Sequence, residues 1–130
     1  GWAVDTIGVG RALLSGSLGL GVAAYALYGA LLAGHEAQFV AWYTLAGFCC
    51  GVVGVTPALM VAAFPPEVRF SGLSFSYNVA YAVFGGLTPP LLAWLAEAWG
   101  PLAPAHYVAF TCVVGAGVAA WIIAKRPLRY

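Results

Sequence analysis

Residues 37–66 read AQFVAWYTLAGFCCGVVGVTPALMVAAFPP, a run of thirty residues without a charged side chain. A helix needs roughly 20 apolar residues to cross about 30 Å of hydrocarbon, so this run is long enough to span a bilayer. Three further charge-free runs, residues 12–35, 70–96 and 98–124, are also long enough. The nine charged residues of the chain, which separate these runs, are Asp5, Arg11, Glu36, Glu67, Arg69, Glu97, Lys125, Arg126 and Arg129.

The composition of the whole chain also indicates a lipid environment. Of 130 residues, 63% are hydrophobic and only 7% are charged, with a net charge of +1. A typical soluble domain carries about 25% charged residues, and so few charges cannot keep a globule of this size in water. The composition excludes a soluble enzyme, and the small net charge gives no basic surface for binding nucleic acid.

The sequence predicts an all-α membrane protein with four transmembrane helices, near residues 12–34, 39–63, 71–96 and 105–124. A closed β-barrel is the other fold that satisfies every backbone group in lipid. Its strands would show about ten residues of alternating hydrophobicity, and residues 91–96 (LLAWLA) are apolar without alternation. Helices are therefore favoured.

The basic residues indicate which helix ends face the cytoplasm, where Lys and Arg collect. With four spans, the N-terminal segment, the loop at 64–70 and the tail at 125–130 lie on one side of the membrane. All five Lys and Arg residues lie on that side, whereas the two opposite loops carry only acidic residues, Glu36 and Glu97. We expect both ends of the chain, including the tail, to be cytoplasmic.

Small residues and helix breakers interrupt the apolar runs. Gly47 and Gly51 form a GxxxG spacing, which lets helix backbones approach closely in lipid. Residues 56–57 (Thr-Pro) interrupt the second helix, and residues 85–86 (Gly-Gly) and 89–90 (Pro-Pro) interrupt the third. Such breaks are tolerated where neighbouring helices bury them or where they line a cavity. The looser small-residue pairs are Ser15 with Gly19 and Thr111 with Gly115.

The cysteines and histidines do not form a pattern that predicts chemistry. Cys49, Cys50 and Cys112 lack the spacing of a metal site, and adjacent cysteines seldom bridge, so we expect them to pack between helices. His35 and His106 fall between apolar runs, where interfacial solvation is expected. We predict no catalytic cluster, no metal site and no cofactor.

Two segments of the chain carry a family resemblance. Residues 63–78 read AFPPEVRFSGLSFSYN, and residues 84–89 read FGGLTP. This order of motifs resembles the junction between the tenth and eleventh helices of major facilitator superfamily transporters. The closest branch is the metabolite–proton symporters, which include proline/betaine, shikimate, citrate and α-ketoglutarate permeases. One position departs from that branch: Ala62 stands where the family often has an acid, so an ion-pair latch built on that acid is in doubt.

The start of the chain carries a weaker match. Residues 1–11 (GWAVDTIGVGR) look like a degenerate copy of the superfamily's Gly-x-x-x-Asp-Arg-x-Gly-Arg-Arg loop, in which Asp5, Gly8 and Arg11 are kept and Thr6 replaces an arginine. That loop joins helices eight and nine in the second half of these transporters. The four spans would then correspond to helices nine to twelve.

The resemblance implies a fragment of a secondary transporter that moves a small polar metabolite, such as an organic acid or osmolyte, across the bacterial inner membrane. It implies alternating access and proton symport. The partners would be the substrate, protons, the lipid bilayer and the missing N-terminal helices of the same protein. Residue 1 is Gly rather than Met, which also suggests a piece of a longer chain. The alternative is a non-transporting four-helix scaffold or assembly subunit.

The third predicted helix carries a polar stripe. At 100° per residue, its members share an arc of about 100°, and a polar stripe in lipid faces either a water-filled pathway or a neighbouring helix. Both interpretations stay open. We expect the best substrate contacts to be Tyr77, Asn78 and Tyr81, with Thr56 and Thr88 as further candidates. The stripe consists of Ser74, Tyr77, Asn78, Tyr81, Gly85 and Thr88.

Four charged residues near the cytoplasmic boundary, Asp5, Arg11, Glu67 and Arg69, are candidates for a gate whose ion pairs form in one state and separate in the other. The other interpretation is a topology signal with solvated loop charges. No Asp, Glu, Lys or Arg lies inside a predicted span. If the protein is a symporter, the group that carries the proton comes from the missing portion, so these residues neither support nor exclude proton coupling.

Overall fold

The computed structural model describes residues 7–125, which form α-helices joined by short turns. A 3₁₀ turn, Gly51–Gly54, connects the second helix to the third, and a π-helical turn, Tyr81–Gly85, connects the fourth helix to the fifth. In chain order the helices are α1 (Val9–Leu32), α2 (Glu36–Cys50), α3 (Val55–Ala63), α4 (Arg69–Ala80), α5 (Gly86–Trp99) and α6 (Ala103–Lys125).

Four segments of the described chain are long and apolar enough to cross a membrane. The first span is Val9–Leu32, the second Glu36–Val61, the third Arg69–Trp99 and the fourth Ala103–Ala124. The second span therefore contains α2 and α3, and the third contains α4 and α5. The prediction of an all-α protein with four transmembrane helices is confirmed.

The helices begin slightly earlier than the sequence predicted. Arg11, Glu36 and Arg69 lie in the first turns of their helices, and Glu97 lies near the end of α5. A charged side chain near a helix end can reach the membrane interface while its backbone keeps the helical hydrogen bonds. In this chain, charges mark the interface rather than the ends of the helices.

Close packing is concentrated around α1, which contacts both α2 and α6. A methyl group at Gly19 would lie 2.9 Å from Cys49 Sγ on α2, and one at Gly115 on α6 would lie 2.9 Å from Ser17 Oγ on α1. A larger residue at either position would force the neighbouring side chain to shift. Nothing in the described chain lies within 4 Å of a methyl group at Gly47.

The looser small-residue pairs therefore supply two of the close contacts of α1, while the GxxxG pair does not. Gly51, like Gly47, faces open space and begins the 3₁₀ turn. Cys112 is buried, and its Cβ would lie 3.5 Å from a methyl group at Gly21. Cys49 and Cys112 thus pack between helices, as the sequence predicted, whereas Cys50 is exposed.

The third span is covered least by the rest of the described chain. None of the described residues of α4, the π turn or α5 is buried. We call α5 the upper half of this span and α4 the lower half. The upper half packs against α6, and the lower half contacts the second span at α3. This span carries the polar residues that the sequence singled out, and it presents them at an open surface of the described bundle.

Candidate transport pathway and inter-span junction

Two tyrosines one helical turn apart form the centre of the polar surface on the third span. Side chains at positions i and i+4 of a helix lie on the same side. The hydroxyl of Tyr77 donates a hydrogen bond to the hydroxyl oxygen of Tyr81 across 3.1 Å, and the ring centroids are 4.6 Å apart. Both side chains are exposed. The pair offers two aromatic faces and a hydroxyl group whose own proton is free to be donated.

Asn78 adds an amide group to this surface. Its Nδ2 donates a hydrogen bond to the backbone oxygen of Ser74, one turn earlier, across 2.8 Å. An asparagine amide has two N–H donors and one oxygen acceptor, so this bond orients the amide and leaves its oxygen available. We name the exposed group Ser74, Tyr77, Asn78 and Tyr81 the polar face. It presents neutral donors and acceptors and no ionised group.

The upper end of the predicted stripe does not continue the polar face. The π turn Tyr81–Gly85 inserts an extra residue into the helix, and one residue corresponds to about 100° of rotation. Thr88 is half-buried, and its Oγ1 lies within hydrogen-bond distance, 2.8 Å, of the hydroxyl oxygen of Tyr107 on α6. The structure thus turns Thr88 toward the fourth span.

The sequence contains the signal for this change of direction. Pro89 lies four residues after Gly85, and proline has no N–H to donate to the Gly85 carbonyl oxygen. Pro90 stands in the same relation to Gly86. Both prolines lie inside α5. The predicted stripe assumed a uniform rotation of about 100° per residue, which does not include the extra residue of the π turn. That assumption placed Thr88 on the same face as Tyr77 and Tyr81.

Thr56, the remaining pathway candidate, lies apart from the polar face in the chain. It is exposed in the first turn of α3, directly after the 3₁₀ turn Gly51–Gly54 and before Pro57. The sequence predicted a break at residues 56–57, but these residues are helical, and the irregular segment is the 3₁₀ turn Gly51–Gly54 just before them.

The structure also contains an interhelical pair that the sequence did not predict. The hydroxyl of Tyr25 on α1 lies 2.6 Å from Nδ1 of His106 on α6, with ring centroids 5.5 Å apart. His106 is exposed, and it lies in the first turns of α6 rather than in a loop. These residues are 81 positions apart in the chain, so no local spacing could have paired them.

The inter-span junction, residues 64–72, connects the second span to the third. Nε–H of Arg69 donates a hydrogen bond to the carbonyl oxygen of Phe64 across 3.2 Å. The Val68 N–H bonds to the Pro65 oxygen across 3.2 Å and closes the turn. A methyl group at Gly72 would lie 2.7 Å from the Phe64 ring. The sequence motif at residues 63–78 therefore has a structural role, because the ring of Phe64 packs on the backbone of Gly72, which has no side chain.

The four gate candidates are placed unequally. Arg69 is half-buried and bonded within the junction, while Glu67 is exposed in the same junction. Arg11 is exposed in the first turn of α1. Asp5 lies outside the described residues. Within residues 7–125, no group of three His, Cys, Asp or Glu side chains is placed to hold a metal ion.

Comparison with known proteins gives a clear set of relatives. No protein-family model and no solved structure matches the chain. The chain is 40% identical over 79 residues to the proline/betaine transporter of Escherichia coli strain K12. This alignment covers 58% of the present chain and 16% of the transporter. It is also 30% identical over 117 residues to a putative proline/betaine transporter of Staphylococcus aureus strain COL. That alignment covers 88% of the present chain and 25% of the Staphylococcus protein.

A third relative, the proline/betaine transporter of Salmonella typhimurium, is 37% identical over 79 residues. In each of these three alignments the chain spans a quarter or less of its relative's length. The matches confirm the resemblance to proline/betaine-type transporters, and the four apolar helices agree with it. The chain is a multi-pass membrane protein that is similar in sequence to proline/betaine transporters.

Proposed function

We propose that this chain is part of a secondary transporter that moves a small polar metabolite by alternating access, with proton symport. The observation that carries the proposal is the polar face, which an otherwise apolar span presents at its open surface. Polar groups in a membrane are costly unless they find partners, and they mark substrate pathways. A solute or its water shell would be the partner of this face.

The chemistry of the polar face suits a small osmolyte or organic acid. The Tyr81 hydroxyl can donate to a carboxylate, and the oxygen of Asn78 can accept from an ammonium group. Tyrosine rings also attract cations, including quaternary ammonium groups. Proline and betaine, which the relatives are named for, each combine a carboxylate with a cationic nitrogen, so we propose a substrate of this class.

The rest of the transporter would come from helices outside this chain. No Asp, Glu, Lys or Arg lies inside a predicted span, so a carboxylate that carries a proton would lie on the preceding helices of the same protein. The four spans would be helices nine to twelve, in the bacterial inner membrane with both ends cytoplasmic. Arg69 and Glu67 would belong to a cytoplasmic gate with Arg11 and Asp5.

The experiment that tests this proposal is uptake by the complete protein reconstituted in vesicles. Labelled proline and betaine are supplied with and without an inward proton gradient. We expect uptake that saturates with substrate and accelerates with the gradient. A protein that is abundant and folded in the vesicles but moves neither solute would contradict the proposed substrate class. Saturable uptake that ignores the gradient would contradict proton symport alone.

A further inference from the structure

The two halves of the third span are attached to the described chain in different ways. The upper half, α5, packs on α6, and the Thr88–Tyr107 contact of 2.8 Å links the two helices. The lower half, α4, carries the polar face and meets the chain at α3, where Phe64 packs on Gly72. One end of the span is therefore fixed to the fourth span and the other to the inter-span junction.

The backbone between these halves is the weakest part of the span. An α-helical bond to the Gly85 oxygen would come from residue 89, and a π-helical bond from residue 90, but both are prolines without an N–H. The Gly86 oxygen also has no α-helical donor, because that donor would be the missing N–H of Pro90. Glycines in a helix interior add flexibility, because they lack the side chain that favours helical angles. Missing donors and glycines thus coincide within six residues.

We propose that Gly85 and Gly86 form a hinge, about which α4 moves relative to α5 during transport. Tyr107 is a positioning residue in this arrangement, because its hydrogen bond with Thr88 holds α5 on the fourth span. Movement at the hinge carries Tyr77, Asn78 and Tyr81 without disturbing the close packing of α1 against α6. The inference rests on the proposed function, since it assigns the motion that opens and closes access to the polar face.

Replacing the glycines by alanine stiffens the hinge with little change elsewhere. Gly85 and Gly86 have helical angles, φ −68° and −74°, and nothing lies within 4 Å of a methyl group at either position. Each alanine favours the regular helix by roughly fivefold. For Gly85→Ala with Gly86→Ala in the complete protein, we expect the maximal uptake rate to fall about 5- to 30-fold with KM unchanged. Gly29→Ala, an equally open helical position in α1, is the matched control.

Spin-label distances report the motion directly and do not depend on the variants. The three cysteines of this chain are replaced by alanine, and pairs of spin labels are introduced. Labels at positions 75 and 118 measure the lower distance, from the lower half of the span to α6. Labels at positions 94 and 110 measure the upper distance, from the upper half to α6. All four positions are exposed. We expect added substrate to shift the lower distance and leave the upper distance unchanged. The Gly85→Ala/Gly86→Ala protein should lose the shift.

The positioning role of Tyr107 has its own readout. Tyr107→Phe removes the hydroxyl, so the upper distance should broaden, and Thr88→Val should have the same effect. Thr88→Ser keeps a hydroxyl and should preserve the narrow distribution. A wild-type protein that transports substrate while both distances move together, or neither moves, would overturn the hinge. A protein that transports neither solute contradicts the proposed function instead, so the two failures are distinguishable.

Discussion

The guanidinium of Arg69 and the carbonyl oxygen of Phe64 are joined by a hydrogen bond of 3.2 Å, across the turn that leads from the second span to the third. A charged donor on a helix's first residue therefore satisfies a backbone acceptor just past the end of the preceding helix. In lipid or at its boundary, an unpaired carbonyl is costly. The bond links the end of the second span to the start of the third, and it gives Arg69 a structural role before any gate is considered.

Arg69→Gln should therefore affect the protein more than Glu67→Gln. A hydrogen bond with a charged donor contributes about 1.5–3 kcal/mol, whereas an exposed charge at Glu67 contributes little. We expect a lower unfolding temperature for Arg69→Gln and an unchanged one for Glu67→Gln, measured on the complete protein in detergent. Equal unfolding temperatures for the two variants would contradict this role of the Arg69 bond.

The contact between Phe64 and Gly72 gives a second prediction. A methyl group at Gly72 would lie 2.7 Å from the Phe64 ring, and forcing extra volume into a packed site costs about 1–3 kcal/mol. Gly72→Ala should lower thermal stability, and Phe64→Leu should relieve the effect when the two are combined. Gly29→Ala introduces the same group in open space and should have no such effect. If Gly72→Ala matches that control, the ring does not pack on this backbone.

Packing between the first and fourth spans is tested at Gly115. Its added methyl group would lie 2.9 Å from Ser17 Oγ, and Ser17 is buried. Gly115→Ala should destabilise the protein, and the double variant with Ser17→Gly should recover part of the loss. Contacting residues show such coupling, while distant ones add independently. Gly117→Ala, with nothing within 4 Å, is the control, and simple additivity in the double variant would argue against the contact.

The polar face is tested by uptake kinetics of Asn78→Ala. Losing a hydrogen bond costs about 0.5–3 kcal/mol, depending on the charge of the partner. If Asn78 contacts substrate, the apparent KM should rise roughly 2- to 150-fold at unchanged membrane abundance. Ser76→Ala, on the opposite side of α4, should change uptake little. Reduced abundance with a normal KM for Asn78→Ala would instead assign this residue to helix packing.

Topology is tested with reporters. All five basic residues lie on one predicted side, so a reporter fused after Tyr130 should be active only in the cytoplasm. One inserted near Gly100 should be active only outside. Each reporter is tested separately in the complete protein. Exchanged signals would reverse the assigned sides and remove the cytoplasmic gate from the proposal.

The sequence by itself was sufficient for the number and order of the spans. Long charge-free runs are a local property, and each one alone is enough to favour the membrane over water. The turn between the second and third spans was also predictable, because residues 64–70 combine prolines with charged residues. A break in the third span was predicted at residues 85–86 and 89–90, since a proline removes a donor whatever surrounds it. The structure has its irregular turn slightly earlier, at Tyr81–Gly85, and keeps both prolines inside α5.

The tertiary structure alone decided which faces meet. In lipid, every apolar face has the same environment, so a GxxxG spacing at Gly47 and Gly51 could not reveal that Gly19 and Gly115 make close contacts instead. The partner of Thr88 depends on the extra residue in the π turn, which rotates it toward Tyr107. Tyr25 and His106 meet because α1 packs on α6, and that contact between distant parts of the chain has no counterpart in local spacing.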